Sequence, residues 1–164
     1  MCIRDSYRLA PDLSLTNLLS NITVSNGIAF SQNKNVMYFA DTPTGLIRKF
    51  EFTRDFKKLQ ELESNMTFND VGEPDGATVD INDNYWSARV RGKCIICINT
   101  KNGKIIEKID LPTNTPTCVT FGDSDLSSLY VTSLRADPVN DAAGGNLHKI
   151  KSETKGFKQL LTDI

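Results

Sequence analysis

Gly72-Glu73-Pro74-Asp75-Gly76-Ala77-Thr78-Val79-Asp80 sets a carboxylate between a proline and a glycine at the mouth of a short strand. Pro74 fixes its own φ and restricts the residue before it, while Gly76 lifts the steric limit on the other side. Asp75 is therefore expected to point at whatever lies beyond the start of the strand Ala77–Val79. A turn aspartate bonded to its own backbone has the same local look. The chain, however, repeats the shape twice more, in Ser25-Asn26-Gly27-Ile28-Ala29-Phe30 and in Pro116-Thr117-Cys118-Val119-Thr120-Phe121.

Each copy runs from a polar approach into a short apolar or β-branched strand. A loop rich in Asn, Asp, Ser and Gly follows (Ser31–Asn35, Asp80–Asn84, Gly122–Ser127), then a second strand with an aromatic near its start: Met37-Tyr38-Phe39-Ala40, Tyr85-Trp86-Ser87-Ala88, Leu129-Tyr130-Val131-Thr132. Gly27 and Gly76 are 49 residues apart, and Gly76 and Cys118 are 42 apart. A period of about 40–50 residues made only of strands is the mark of propeller blades.

Composition narrows the class. With 164 residues, 39% hydrophobic and 24% charged, the chain can bury a core, and its formal charge of −1 leaves no basic stripe for nucleic acid. No apolar run approaches the roughly 20 residues of a spanning helix, and Met1–Ser20 lacks the apolar run of a signal peptide, so no membrane partner and a cytoplasmic location are expected. Cys94-Ile95-Ile96-Cys97 resembles a metal or redox pair, but an offset of three in a strand turns the two sulfurs to opposite faces. Cys94, Cys97 and Cys118 read as small core residues of a reducing compartment.

In chain order, Met1–Ser6 fit no element and are expected to stand outside the fold, leaving 7–164 as the C-terminal part of one propeller domain. Tyr7–Leu9 and Leu15–Leu19 read as the closing half of a blade. Val24–Phe30, Val36–Ala40, Gly45–Phe52 and Leu59–Leu62 form the next blade. Ala77–Val79, Tyr85–Arg89, Cys94–Asn99 and Ile105–Asp110 form another, with Asn102-Gly103 predicting a two-residue type I′ hairpin. The last unit is Cys118–Phe121, Leu129–Ser133, Asn146–Ile150 and Phe157–Leu161, interrupted by the long loop Leu134–Gly145. Trp86 and Tyr38 sit at core spacing, which favours packing over substrate stacking, Asp41 is an acid that either supports a neighbouring site or orders its loop, and His148 is a strand residue without a catalytic part.

Ser25–Phe30 with Tyr38-Phe39-Ala40-Asp41, Pro74-Asp75-Gly76 with Trp86-Ser87-Ala88-Arg89, and Thr117–Gly122 with Leu129–Thr132 and Ala143-Gly144-Gly145 resemble the regucalcin, gluconolactonase and luciferin-regenerating family. The resemblance spans nearly all of Tyr7–Lys158. It implies an all-β chain forming part of a six-bladed β-propeller, about three and a half blades, with the first blades absent. It also implies one divalent metal at the channel and hydrolysis of a lactone or, in some members, an organophosphate ester.

By the same resemblance Asn26 and Asp75 occupy the family's metal-binding positions, and Asp75 is the candidate catalytic residue. The family's third ligand, a glutamate, and its substrate-orienting Arg and Asn belong to earlier blades and have no counterpart here, so a fragment of this length is expected to be inactive alone. An amide carbonyl and a carboxylate are hard oxygen donors, which points to calcium first, with magnesium, manganese or zinc as alternatives. The third repeat offers only Thr117 at the equivalent place. The resulting expectation is a metal-dependent hydrolase of a sugar lactone or similar cyclic ester. The alternative is a non-enzymatic calcium-binding or protein-interaction propeller, since the fold serves both.

Overall fold

The computed structural model describes residues 4–32, 35–53, 58–137 and 139–159. Strands β1 (Ser6–Leu9) and β2 (Leu15–Leu19) pair with each other. Strands β3 (Ser25–Phe30), β4 (Val36–Asp41), β5 (Leu46–Phe52) and β6 (Leu59–Thr67) form a four-stranded sheet in chain order. So do β7 (Glu73–Val79), β8 (Tyr85–Val90), β9 (Cys94–Asn99) and β10 (Lys104–Asp110). A three-stranded sheet follows, of β11 (Pro116–Gly122), β12 (Ser128–Ser133) and β13 (Leu147–Lys151). Every pairing is antiparallel. β3 packs on β7 and β7 on β11, so the first strand of each sheet lies innermost. The chain is the all-β partial propeller that its repeats predict.

The middle strands explain the core. Met37–Ala40, Tyr85–Ala88 and Ile95–Ile98 are buried on both faces, because each such strand lies between two neighbouring sheets. Tyr38, Ala40, Ile47 and Met66 of one sheet meet Tyr85, Cys94, Ile96 and Ile98 of the next. The opposite face of that second sheet, with Trp86, Ala88, Ile95 and Cys97, packs on Val119, Leu129 and Val131. Cys94 and Cys97 thus fall into different cores, as their offset of three requires. Trp86 and Tyr38 are core residues, 1% and 0% exposed.

Several details depart from the sequence reading. β7 begins at Glu73, so Pro74-Asp75-Gly76 lies within the strand rather than ahead of it. Proline is tolerated there because β7 is an edge strand of its sheet. Ser6 opens β1, and Asp5 accepts from the Asn17 side chain and the Asn21 amide, so both join the fold; Met1–Ile3 lie outside the described residues. At Asn102-Gly103 only Gly103 has positive φ, +68°, and its N–H reaches Asn99 O at 2.8 Å, closing a loop of residues 100–103 instead of a two-residue turn. Phe157–Gln159 of the anticipated last strand are not in a strand, and Leu160–Leu161 lie outside the described residues. Cys118 is exposed rather than core, since β11 turns it inward toward Gly76 and away from the packing between sheets. Among the described residues no helix is long and apolar enough to cross a membrane.

Candidate functional site

The three innermost strands share a defect. Register shifts fall between Asn26 and Ala29 in β3, between Pro74 and Ala77 in β7, and between Pro116 and Cys118 in β11. A bulge bends the strand and re-aims the side chains next to it. Here it recurs, within one residue, where Asn26, Asp75 and Thr117 stand.

The glycines at these bulges are required by close approach. Gly27 has φ of +59°, and a side chain there would collide with the Tyr85 hydroxyl and lie 3.3 Å from the Asp75 carbonyl. A side chain on Gly76 would come within 2.8 Å of the Thr117 carbonyl and 2.6 Å of Cys118 Sγ. Each inner strand therefore lies against the bulge of the next, and Asn26, Gly76 and Cys118 line one recess of about 210 Å³ together with Ser25, Gly27, Ile28 and Ala77.

Asn26 is half-buried, and its Nδ2 donates to Thr42 Oγ1 at 2.8 Å. Thr42 Oγ1 in turn donates to the Pro74 carbonyl at 2.8 Å, in the neighbouring sheet. Among the described residues no donor bonds Asn26 Oδ1, which is left as the free atom of the amide. Asp41, 6% exposed, secures the approach to the strand: its carboxylate accepts the N–H of Thr23 at 3.0 Å and of Val24 at 2.8 Å. Of the two parts open to it from the sequence, these bonds are those of a loop-ordering acid.

Asp75 is half-buried and, among the described residues, its carboxylate has no ion-pair partner and no hydrogen bond to another side chain, only the adjacent Gly76 amide. Burial pushes its carboxyl above the ordinary value, offset in part by the Gly76 amide. Burial likewise raises the Cys118 thiol, with the Asp75 charge adding to it.

The segment leading into β7 is held by Arg89. Its fully buried guanidinium donates to the carbonyls of Phe68 at 2.7 Å, Val71 at 3.4 Å and Gly72 at 2.5 Å. Burial lowers its pKa. Thr117, the third equivalent position, has its hydroxyl engaged with Thr132 Oγ1 at 2.9 Å. Among the described residues no group of three or more His, Cys, Asp or Glu side chains has the arrangement of a metal site.

Sequence reasoning brought Asn26 and Asp75 to neighbouring strands but passed over Thr42 and Arg89. The clue to Arg89 was a charged residue at the end of a largely apolar strand, a place where burial calls for hydrogen-bond partners; Nε and Nη2 have them, while Nη1 is buried without one among the described residues. Thr42 carried no comparable clue, since a Thr-Pro after a strand reads as any turn.

The sequence signature of the SMP-30/Gluconolactonase/LRE-like region matches residues 4–135. A 6-deoxy-6-sulfogluconolactonase of Pseudomonas putida is 34% identical over 119 residues, covering 72% of this chain and 40% of the relative. A pentonolactonase of Haloferax volcanii is 30% identical over 141 residues, covering 85% and 48%. The crystal structure of a regucalcin from Agrobacterium tumefaciens superposes with a TM-score of 0.87 at 24% identity, over 98% of this chain and 56% of the other. The chain spans about half the length of the relatives it matches. Repeats, sheet order and a signature running through most of the sequence agree, and the chain belongs to the SMP-30/gluconolactonase/LRE-like family.

Proposed function

We propose that this chain supplies two oxygen donors, Asn26 Oδ1 and the Asp75 carboxylate, to a divalent-metal site in a hydrolase of sugar lactones. The carrying observation is the state of the two side chains. Among the described residues, the Asn26 amide nitrogen is occupied by Thr42 while its carbonyl oxygen accepts no hydrogen bond, and on the adjoining inner strand stands a half-buried carboxylate that no cation neutralises. An uncompensated, partly buried carboxylate is costly, and a cation would relieve it. Both donors are hard oxygens, suited to calcium, magnesium or manganese.

Such an ion, when bound, supplies Lewis acidity toward the lactone carbonyl. The remaining work falls to the chain. Asn26 holds one donor in place by a bond made within the protein. Asp75 accepts the proton of the water that attacks the carbonyl carbon, and that proton passes to the ring oxygen as the ring C–O bond opens. The lactonase relatives support a small-molecule cyclic ester as the substrate class. The free thiols Cys94, Cys97 and Cys118 fit a reducing, cytoplasmic location.

The test is hydrolysis of a panel of γ- and δ-aldonolactones by the full-length protein at saturating calcium, magnesium or manganese. Turnover that is lost in Asp75→Asn supports the reading. No turnover of any lactone would overturn it and favour a non-enzymatic calcium-binding or protein-interaction propeller.

A further inference from the structure

Thr42 joins the two proposed donors across the boundary between sheets, and we infer that its hydroxyl is the positioning group that sets which atom of Asn26 faces the site and where the Asp75 backbone lies. The inference rests on the metal reading above and adds a residue to it.

Hydrogen-bond capacity fixes the orientation of the Asn26 amide. A threonine hydroxyl has one hydrogen to give and lone pairs to accept with. The Pro74 carbonyl can only accept, so at 2.8 Å it takes that hydrogen. The Asn26 group 2.8 Å from the same oxygen must then be a donor, which makes it the NH₂ end of the amide. The C=O end is thereby turned away from Thr42. A free asparagine presents either end with little preference, and only the carbonyl end can hold a cation.

The second bond works on the other donor. The Pro74 carbonyl belongs to the peptide unit that carries the Asp75 nitrogen, so tying that carbonyl fixes the plane from which Asp75 departs. Pro74 has no N–H of its own and a locked φ, which leaves this carbonyl as the handle on the segment.

Thr42 is itself held. Its N–H reaches Val24 O at 3.0 Å, its carbonyl accepts from Gly45 N at 3.1 Å, and the Thr44 hydroxyl ties the preceding Asp41 carbonyl at 2.7 Å. Pro43 and the left-handed Gly45, at φ +68°, close the 3-10 turn Thr42–Thr44. The β-branched side chain adds stiffness at χ1. The hydroxyl therefore occupies a built position.

The test compares Thr42→Val, which keeps the shape and removes both bonds, with Thr42→Ser, which restores them. In calorimetric titration with calcium and with manganese, Thr42→Val is expected to bind about tenfold more weakly, as suits the loss of one or two hydrogen bonds. Thr42→Ser is expected to return to within about threefold of wild type. The ¹⁵N spectrum of the metal-free protein is a second readout. The Asn26 side-chain NH₂ resonances, identified by their absence in Asn26→Asp, should shift and exchange faster in Thr42→Val but not in Thr42→Ser. Equal metal affinity in wild type and Thr42→Val overturns the inference and leaves the metal reading standing. If wild type binds neither ion, the metal reading fails, and unchanged Asn26 resonances in Thr42→Val then overturn the inference separately. Should Thr42→Val not fold, Thr42→Ala is read by the same criteria.

Discussion

The Tyr85 hydroxyl donates to the carbonyl of Gly27 at 2.6 Å, joining the second strand of one sheet to the bulge in the innermost strand of the sheet before it. Tyr85 is 0% exposed and packs its ring 5.5 Å from that of Tyr38, so the bond lies wholly in the core. Burial raises the tyrosine pKa, which keeps the donor hydrogen in place. The bond also explains why Gly27 has no side chain, since the hydroxyl occupies that space. Removing it with Tyr85→Phe leaves a buried carbonyl without its partner and is expected to cost about 1–3 kcal/mol in urea unfolding. Gly27→Ala should cost at least as much, because it adds both a collision and a strained positive φ. A change under about 0.5 kcal/mol in both variants would show that this link does not fasten the sheets.

The two proposed donors differ in charge, which separates their effects. Asp75→Ala removes a carboxylate and Asn26→Ala a neutral carbonyl, so calcium titration should show weaker binding in both and the larger loss in Asp75→Ala. Equal affinity in wild type and Asp75→Ala would end the assignment of Asp75 as a ligand.

Asp123 is a hub on the surface, accepting from Ser128 Oγ and Tyr130 OH at 2.6 Å each and from Lys149 Nζ at 3.0 Å. These bonds, Ser128 first, hold its carboxyl well below the usual range. A folded-state pKa below the unfolded one gives stability that is fully present above the unfolded value, near 3.9, and is lost as pH falls toward the folded value. Asp123→Asn should therefore be less stable than wild type by a constant margin from about pH 7 to pH 5. The margin should shrink only below about pH 4. A margin that instead changed between pH 5 and pH 7 would place the coupling elsewhere.

Exposure sorts the thiols. Cys118 is exposed on β11, whereas Cys94 and Cys97 are 0% and 2% exposed. A thiol-reactive disulfide reagent at pH 8 should modify Cys118 in the native protein, more slowly than a free cysteine because the protein atoms packed on one side of its sulfur and the Asp75 charge raise its pKa. Cys94 and Cys97 should react only on unfolding. The check is the native-state signal of Cys118→Ser, which should lose one equivalent.

How much of this was legible in the sequence follows from the range over which each feature is determined. Blade architecture was written in local patterns: a strand repeat of about 40–50 residues, and middle strands that are mostly apolar because they are covered on both faces. The opposed burial of Cys94 and Cys97 followed from the strand period alone. The equivalence of Asn26 and Asp75 was visible because both precede a glycine, and that glycine is needed where one inner strand lies against the next.

The bulges, by contrast, are properties of register, which exists only once β3 meets β4 and β7 meets β8. Pro74 could enter a strand because β7 is an edge, a fact of sheet order that no dipeptide signals. Cys118 looked like a core residue by type, and its exposure was decided by which strand lies innermost. Thr42 was illegible for the same reason. Its partners are 16 and 32 residues away in sequence, and one of them is a backbone carbonyl that any residue would have provided. Local pattern was enough to mark most of the strands, the central part of the core and the two side chains that recur at the inner strands, because each of these depends on near neighbours in the chain. Tertiary structure alone decided how those side chains are aimed, because aim depends on hydrogen bonds that form between sheets only after the sheets have packed.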